Sequence, residues 1–466
     1  MNSKKNFFTT LRNLFAFILC ATTSLSATQS SQEQPEVWIN VFVHGIMSVK
    51  PHIGITNFLR FMTDRVESTI YSETVRVMRD DHIFYQNQAM QDLGLHPMDP
   101  SRIEVGNSSG AMAAAFEIVS QFVNPNKTII NHYYTYGWSG LMSESKRYTD
   151  AINLYQSVAA LVAQLTANGI SPKVRIIGYS HGGNVVLNIA KVRQCEQNPL
   201  PLEVDEIILY GVPIQKETDY LVNDPMFKKI YHIYSRGDRI QKLDFFSFKR
   251  FFSHRIFKPR RGFTLPNKLI QIQIKCVRNL QNINDEKALK NYAFKNKSVL
   301  SGRGRYLRDS SPGHTELWFF GWTPQHYRKT FPLYPMPAAA LTPLIVHYAQ
   351  NFQERNRFEK PTLIDIRPDQ EVVLIRNQKS RKILNLGRFL PVEEINNIKT
   401  TIAQYAPEDY TGEKYNGAIR TAYLQAQEWY RNKKLEDRLV RIHRKKERRL
   451  RKSFRKSCAA LEKKDN

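Results

Sequence analysis

The segment Lys173–Ala190, KVRIIGYSHGGNVVLNIA, carries the strongest chemical signal in the chain. Within it, Gly178-Tyr179-Ser180-His181-Gly182 sets a serine between two glycines. The short apolar run Val174–Ile177 leads in and reads as a strand, while Val185, Val186, Ile189 and Ala190 follow at helical spacing. A tight strand–turn–helix junction strains the serine backbone and lifts its hydroxyl clear of the chain. It also aims that hydroxyl at a helix N-terminus, where amides steady negative charge. That is the setting of a nucleophile. The competing reading is a glycine-rich phosphate loop, but no Lys follows the glycines as a P-loop requires. A serine hydroxyl is a weak nucleophile alone, so a base and a group that orients the base must come from elsewhere in the chain.

This segment resembles the G-x-S-x-G-G elbow of α/β-hydrolase-fold lipases and esterases. A second piece matches as well: Val41-Phe42-Val43-His44-Gly45-Ile46 is an apolar strand ending in His-Gly. The resemblance implies an oxyanion hole made by the amides of Ile46, with Met47 as fallback, and His181, because a tetrahedral intermediate needs two N–H groups converging on its oxygen. It also implies the chain order serine, acid, histidine. Asp238, in Ser235-Arg-Gly-Asp-Arg-Ile240 directly after a strand, is then the expected acid, and Asp219 the runner-up. The downstream histidines are His232, His254, His314, His326 and His347. His314 lies in a loop, SSPGHTELW, after the last strand and is the expected base, with His326 second. His232 falls inside a strand and His347 in an apolar helical stretch, so both are expected to be packing residues. The implied activity is a serine hydrolase of carboxylic esters, foremost lipid acyl esters, with no metal or cofactor; neither an HExxH motif nor a dinucleotide fingerprint is present. The resemblance covers about residues 36–350 and gives no account of 360–466.

The elements that must position these residues alternate. Strands are expected at Val37–Val43, Asn131–Tyr136, Val174–Ile177, Glu206–Tyr210, Ile230–Tyr234 and Leu269–Cys276, with helices at about Ile55–Ser68 and Tyr148–Ala167. Short apolar strands separated by helices predict an α/β fold, a mostly parallel sheet covered by helices on both faces. A boundary is expected near residue 355. Beyond it, Leu363–Ile366, Val372–Ile375 and Ile383–Leu386 read as a small antiparallel sheet. A helix beginning after Pro391 follows, then one long basic helix over about Glu413–Phe454. The expected organisation is thus a leader at 1–27, a hydrolase-type domain at 28–355 and an α+β or helical extension at 356–466.

Residues 1–27 have the build of a signal peptide: Lys4, Lys5 and Arg12, then an apolar Leu14–Ala21 too short to span a bilayer, then small residues. Export to a periplasmic or secreted location follows, with peripheral attachment to a membrane as an option. The 466 residues carry 68 Lys and Arg against 42 Asp and Glu, a net +26, which favours anionic partners. The charge is concentrated: Arg431–Asn466 holds sixteen basic and five acidic residues. Phe245–Phe263 gathers seven phenylalanines and six basic residues with no acidic one, and so reads either as a lipid-facing lid or as a cap packed on the core. Both segments make an anionic membrane surface the expected partner besides the ester substrate, and nucleic acid is disfavoured because no nucleic-acid fold accompanies the charge. Four cysteines without a CxxC pair exclude a disulfide scaffold and a cysteine zinc cluster. Two other function classes stay open at this point: a hydrolase fold that has lost its chemistry and serves as a binding module, and a polyanion- or membrane-binding protein acting through its basic segments.

Overall fold

The computed structural model describes residues 35–47, 64, 66–238, 240, 253–277, 311–322, 327–355, 362–380 and 383–462. The leader and most of the expected Ile55–Ser68 helix lie outside the described residues. Val66–Ser68 form a turn that leads into the first helix.

The chain alternates as its apolar pattern predicts. In order it forms β1 (Glu36–Val43), α1 (Ile70–Arg79), β2 (Gly94–Met98), α2 (Ser108–Val123), β3 (Ile129–Gly137), α3 (Glu144–Ala167), β4 (Lys173–Tyr179) and α4 (His181–Cys195). There follow β5 (Val204–Tyr210), β6 (Phe227–Tyr234), β7 (Leu269–Cys276), α5 (Thr342–Arg355), β8 (Thr362–Arg367), β9 (Val372–Asn377), β10 (Ile383–Arg388), α6 (Val392–Gln404) and α7 (Gly412–Glu462). The strands make one ten-stranded sheet in the order β10-β9-β8-β7-β6-β5-β4-β1-β3-β2. Pairing is parallel from β3 through to β8 and antiparallel only at the two ends. This is an α/β architecture.

The central strands are apolar on both faces because both faces are covered. Ile39, Val41, Val43 and Ile176 point to one side, where they meet Leu154 and Val158 of α3 and Val185 and Ile189 of α4. Phe42, Ile177, Ile208 and Tyr210 point to the other, against Ala111 and Ala115 of α2 and Leu344 and Ile345 of α5. Ser143 starts α3 by accepting the Lys146 amide at 3.2 Å, and Asn107 starts α2 by accepting that of Gly110 at 2.9 Å, each satisfying a donor that the first helical turn leaves open.

The expected boundary near residue 355 falls between α5 and β8, and the sheet runs across it. The last three strands are antiparallel to one another, as expected. However, β8 pairs in parallel with β7, with Ile272 opposite Thr362, so they extend the main sheet rather than form one of their own. The helices beyond also fold back: Ile395, Ile398 and Ile402 of α6 enter the same core as α2, and Ala422 of α7 enters the cluster around α1.

Phe42 joins the sheet to what lies above it, with its ring 5.7 Å from Phe116 on α2 and 6.0 Å from Trp318. It is fully buried. Truncating it leaves a void between three elements, so Phe42→Ala is expected to lower stability by about 3–5 kcal/mol in urea unfolding. A loss below about 1 kcal/mol would show that the neighbouring rings collapse into the space.

Candidate active site

Ser180 sits at the junction of β4 and α4 with φ 51° and ψ −132°, the left-handed strain that the sequence pattern predicts. Its amide donates to the Tyr210 carbonyl at 2.9 Å, which pins the junction to β5. The α4 helix then turns under the end of β1 at very short range. A Cβ added to Gly182 would lie 2.0 Å from the His44 carbonyl oxygen, so only glycine allows the helix to start here. Ser180 itself is 3% exposed.

His314 bridges Ser180 and Asp238. Its Nδ1 is 2.7 Å from Asp238 Oδ2 and its Nε2 is 3.1 Å from Ser180 Oγ, both within the expected hydrogen-bond range. A carboxylate can only accept, so Nδ1 carries the proton and Nε2 turns a lone pair to the serine hydroxyl. Asp238 is wholly buried, and its second oxygen accepts the Ile240 amide at 3.0 Å. The Arg255 guanidinium donates to the Asp238 carbonyl, holding the loop from the other side. Room for the pair comes from Gly211 after β5: it has φ +59°, and a Cβ there would lie 3.0 Å from Asp238 Oδ2 and 3.4 Å from His314 Nδ1.

The His314 loop is fixed by an ion pair that the sequence reading did not single out. Glu316, 1% exposed, accepts from Arg328 Nε and Nη2, each at 2.6 Å, and from the Arg328 amide at 3.1 Å. The same carboxylate accepts the Gly313 amide, and Arg328 also donates to the Ser311 carbonyl at 3.0 Å. Tyr179 supports the histidine from below: its hydroxyl donates to the His314 carbonyl at 2.9 Å, and its ring lies 4.8 Å from the imidazole and stacks on Trp318 at 5.2 Å. Burial, with the Asp238 charge adding to it, holds the Tyr179 hydroxyl well above its ordinary pKa, so it stays a donor.

At the end of β1, His44 is buried and its ring stacks on Trp138 at 5.6 Å. Nδ1 lies 2.6 Å from the Gly45 carbonyl and so carries the proton, while Nε2 accepts from the Trp138 amide at 3.3 Å and from Arg79 Nη1 at 3.2 Å. Burial, with the Arg79 charge behind it, holds the His44 pKa well below the ordinary value, which keeps the ring neutral. The Met47 amide donates to Gly140 at 3.3 Å, so the fallback donor is already committed. A Cβ on Gly45 would lie 3.1 Å from Ser180 Cβ, so Gly45 packs directly against the serine, and His181 opens α4 immediately after it.

The remaining sequence candidates lie elsewhere. Asp219 is paired with Arg260 rather than with a histidine, at 2.8 Å through its Oδ1. His232 is buried in β6 between Tyr234 and Phe257, and burial takes its pKa down to about 3. His347 bonds Asn351 on α5 at 2.9 Å, and the His254 backbone pairs with Ile214. His326 lies outside the described residues. So do Phe245, Phe246, Phe248, Phe251 and Phe252 of the aromatic segment; Phe257 and Phe263 are buried in the core against the sheet, which corrects the lipid-facing expectation for those two rings. Among the described residues, no His, Cys, Asp and Glu side chains are grouped to hold a metal ion.

In comparisons with known proteins, no family model, curated protein or solved structure matches the chain.

The two buried neutral histidines make stability depend on pH. Once unfolded, each takes up a proton near its ordinary pKa of about 6.5, which its folded site refuses. Stability should therefore fall as pH drops below about 6.5, by about 1.4 kcal/mol per unit for each histidine that stays neutral in the fold, down to about pH 3 for His232. Replacing His232 with Gln should flatten that slope by one histidine's share in urea titrations run from neutral to acid pH. An unchanged slope would mean that His232 protonates in place.

A second expectation concerns the Glu316–Arg328 fork. Glu316→Ala leaves a partly buried guanidinium uncompensated and frees the Gly313 amide, and should lower stability by about 3–5 kcal/mol. A thermal melt of the variant tests this, and a midpoint equal to wild type would show that the loop is held by its aromatic contacts alone.

Proposed function

We propose that the chain is a serine hydrolase of the α/β-hydrolase type that cleaves carboxylic esters through an acyl-enzyme. The reading rests on one observation, the continuous Asp238–His314–Ser180 relay ending at a strained serine. His314 Nε2 removes the Ser180 proton as Oγ attacks the ester carbonyl, and the Asp238 carboxylate steadies the imidazolium that forms. The amides of Ile46 and His181 receive the oxyanion. Collapse of the tetrahedral intermediate breaks the bond to the alcohol, which leaves with the proton from His314. Water then repeats the sequence on the acyl-enzyme: it gives a proton to His314, and Ser180 takes that proton back as the acid departs.

A binding module derived from such a fold would have no need of this geometry, so the intact contacts favour the enzyme. Lipid acyl esters are the proposed substrate class. The support is in the sequence: an aromatic and basic run begins a few residues after Asp238, and a net charge of +26 suits work near anionic surfaces. Export by the leader at residues 1–27 belongs to the same proposal.

The test is labelling with a fluorophosphonate, followed by p-nitrophenyl esters of increasing chain length. Wild type should label at Ser180, and Ser180→Ala should lose labelling and about 10³-fold or more of turnover without loss of fold. Asp238→Asn should keep the serine in place and still lose a similar factor, because the imidazole is then held in the wrong tautomer. Esterase activity persisting in Ser180→Ala would end the reading.

A further inference from the structure

The esterase reading leaves most of α7 without a role. The first turns of this helix are held down: Tyr415, Ala418, Ile419 and Ala422 pack in the α1 cluster, and Ala426 is buried. From Arg431 to Arg449, by contrast, every residue is exposed except Lys433, whose ammonium reaches Ser68 at 2.8 Å. Counting about 100° per residue, Leu435, Leu439 and Ile442 fall within about 60° of arc on this bare stretch. They are 58%, 65% and 55% exposed. That arc lies roughly 150° around the helix from the face turned to α1, so it is not an overrun of the α1 packing. Arg431, Lys434, Arg438, Arg441, Lys445 and Arg449 follow one another at steps of three or four residues and line one flank of the arc. The opposite flank carries Glu436, His443 and Glu447.

We propose that residues 431–449 of α7 form a docking surface for an anionic lipid bilayer, the helix lying in the membrane plane with the Leu435–Leu439–Ile442 arc in the interface and the basic row on the headgroups. Charge complementarity names the partner, and the arc decides among polyanions. Exposed leucines gain nothing from a nucleic-acid backbone, whereas a bilayer offers phosphate and an apolar phase side by side. A coiled coil with a second copy needs its apolar positions repeated over several heptads, and here the next two are Lys446 and Arg449. No described helix is long and apolar enough to cross a membrane, so the contact is peripheral. The inference stands apart from the esterase reading, because binding is measured without turnover.

The experiment is co-sedimentation of the full chain with vesicles of equal phosphatidylcholine and phosphatidylglycerol, and with phosphatidylcholine alone. Binding is expected only to the anionic vesicles, and it should weaken at least about tenfold as salt rises from about 0.1 to about 1 M, where screening shortens to a few ångströms. Two exposed-surface variants, each checked for retained helicity, divide the contributions. R438Q/R441Q/K445Q should weaken binding about tenfold or more, since each cation adds separately to attraction. L435S/L439S/I442S should weaken it several-fold at unchanged charge. Failure to bind anionic vesicles overturns the proposal, as does wild-type affinity in either variant. Tighter binding to duplex DNA than to anionic vesicles, indifferent to the serine substitutions, would assign the surface to nucleic acid instead.

Discussion

The site depends on one close approach, that of the first turn of α4 to the end of β1. The two neighbouring strands β1 and β4 run parallel with Val43 opposite Gly178, so they deliver Gly45 and Ser180 to the same edge of the sheet. For α4 to pack beneath β1, the chain must reverse within a single residue after β4, and the His44 carbonyl lies where any side chain at Gly182 would begin. The residue that makes the reversal takes φ 51°, a strain of about 1–3 kcal/mol. Burial of Val185, Val186, Ile189 and Ala190 offsets it, each of the three larger side chains contributing about 1.5–3 kcal/mol relative to an exposed position. Relaxing the strain would mean lifting α4 off the sheet. The placing of the Ser180 hydroxyl at this edge of the sheet is thus a by-product of packing that the rest of the domain already enforces.

The other half of the relay has no such backbone constraint. Asp238 and His314 come from loops, and loops hold a geometry only when side chains hold the loops. Removing two charges from water is costly, and a well-packed apolar pair would stabilise the domain as well as Glu316 and Arg328 do. What an apolar pair cannot do is receive the Gly313 amide and donate to the Ser311 carbonyl. The ion pair thereby fixes the two residues that precede His314 by one and three positions, and with them the direction of the imidazole. Tyr179 ties the two halves together. As the variable residue of the G-x-S motif it belongs to the elbow, yet its hydroxyl and ring both rest on His314.

These differences explain what was legible in the sequence. Ser180 could be read because its setting is local: the strand, the turn glycines and the helix are contiguous, and Gly178 and Gly182 are crowded by the motif itself and by the end of β1, a segment picked out by the same resemblance. Asp238 and His314 were legible only through the resemblance, which implies the order serine, acid, histidine, with the acid in a loop directly after a strand and the histidine in a later loop. Glu316 and Arg328 left no such trace, because twelve residues separate them and their pairing is decided by how a loop closes. Helix α2 escaped for a related reason: its Gly-Ala-Met-Ala-Ala-Ala run shows little amphipathic pattern, being buried nearly all round between the sheet and α6. Likewise the alternation in β8–β10 revealed strands but not their neighbour. That β8 continues the parallel sheet is a long-range pairing, and no local signal records it.

Three histidines show how burial and neighbours sort one residue type into different work. His232 is enclosed by aromatic rings in β6, and its depressed pKa keeps it a neutral packing residue. His44 faces donors, the Trp138 amide and the Arg79 guanidinium, so a second proton on Nε2 would meet a positive charge 3.2 Å away. Held in one tautomer, the ring acts as a strut between β1 and the Trp138 segment, and that rigidity passes to the adjoining Gly45–Ile46 peptide. His314 has the reverse surroundings: a carboxylate at Nδ1, a hydroxyl at Nε2, and an edge that reaches solvent. Only there does taking a proton create an attraction instead of a repulsion. Of these three rings, His232 meets aromatic carbon, His44 meets a cation and His314 meets a carboxylate, and that difference in neighbours is what suits the last to the role proposed for it.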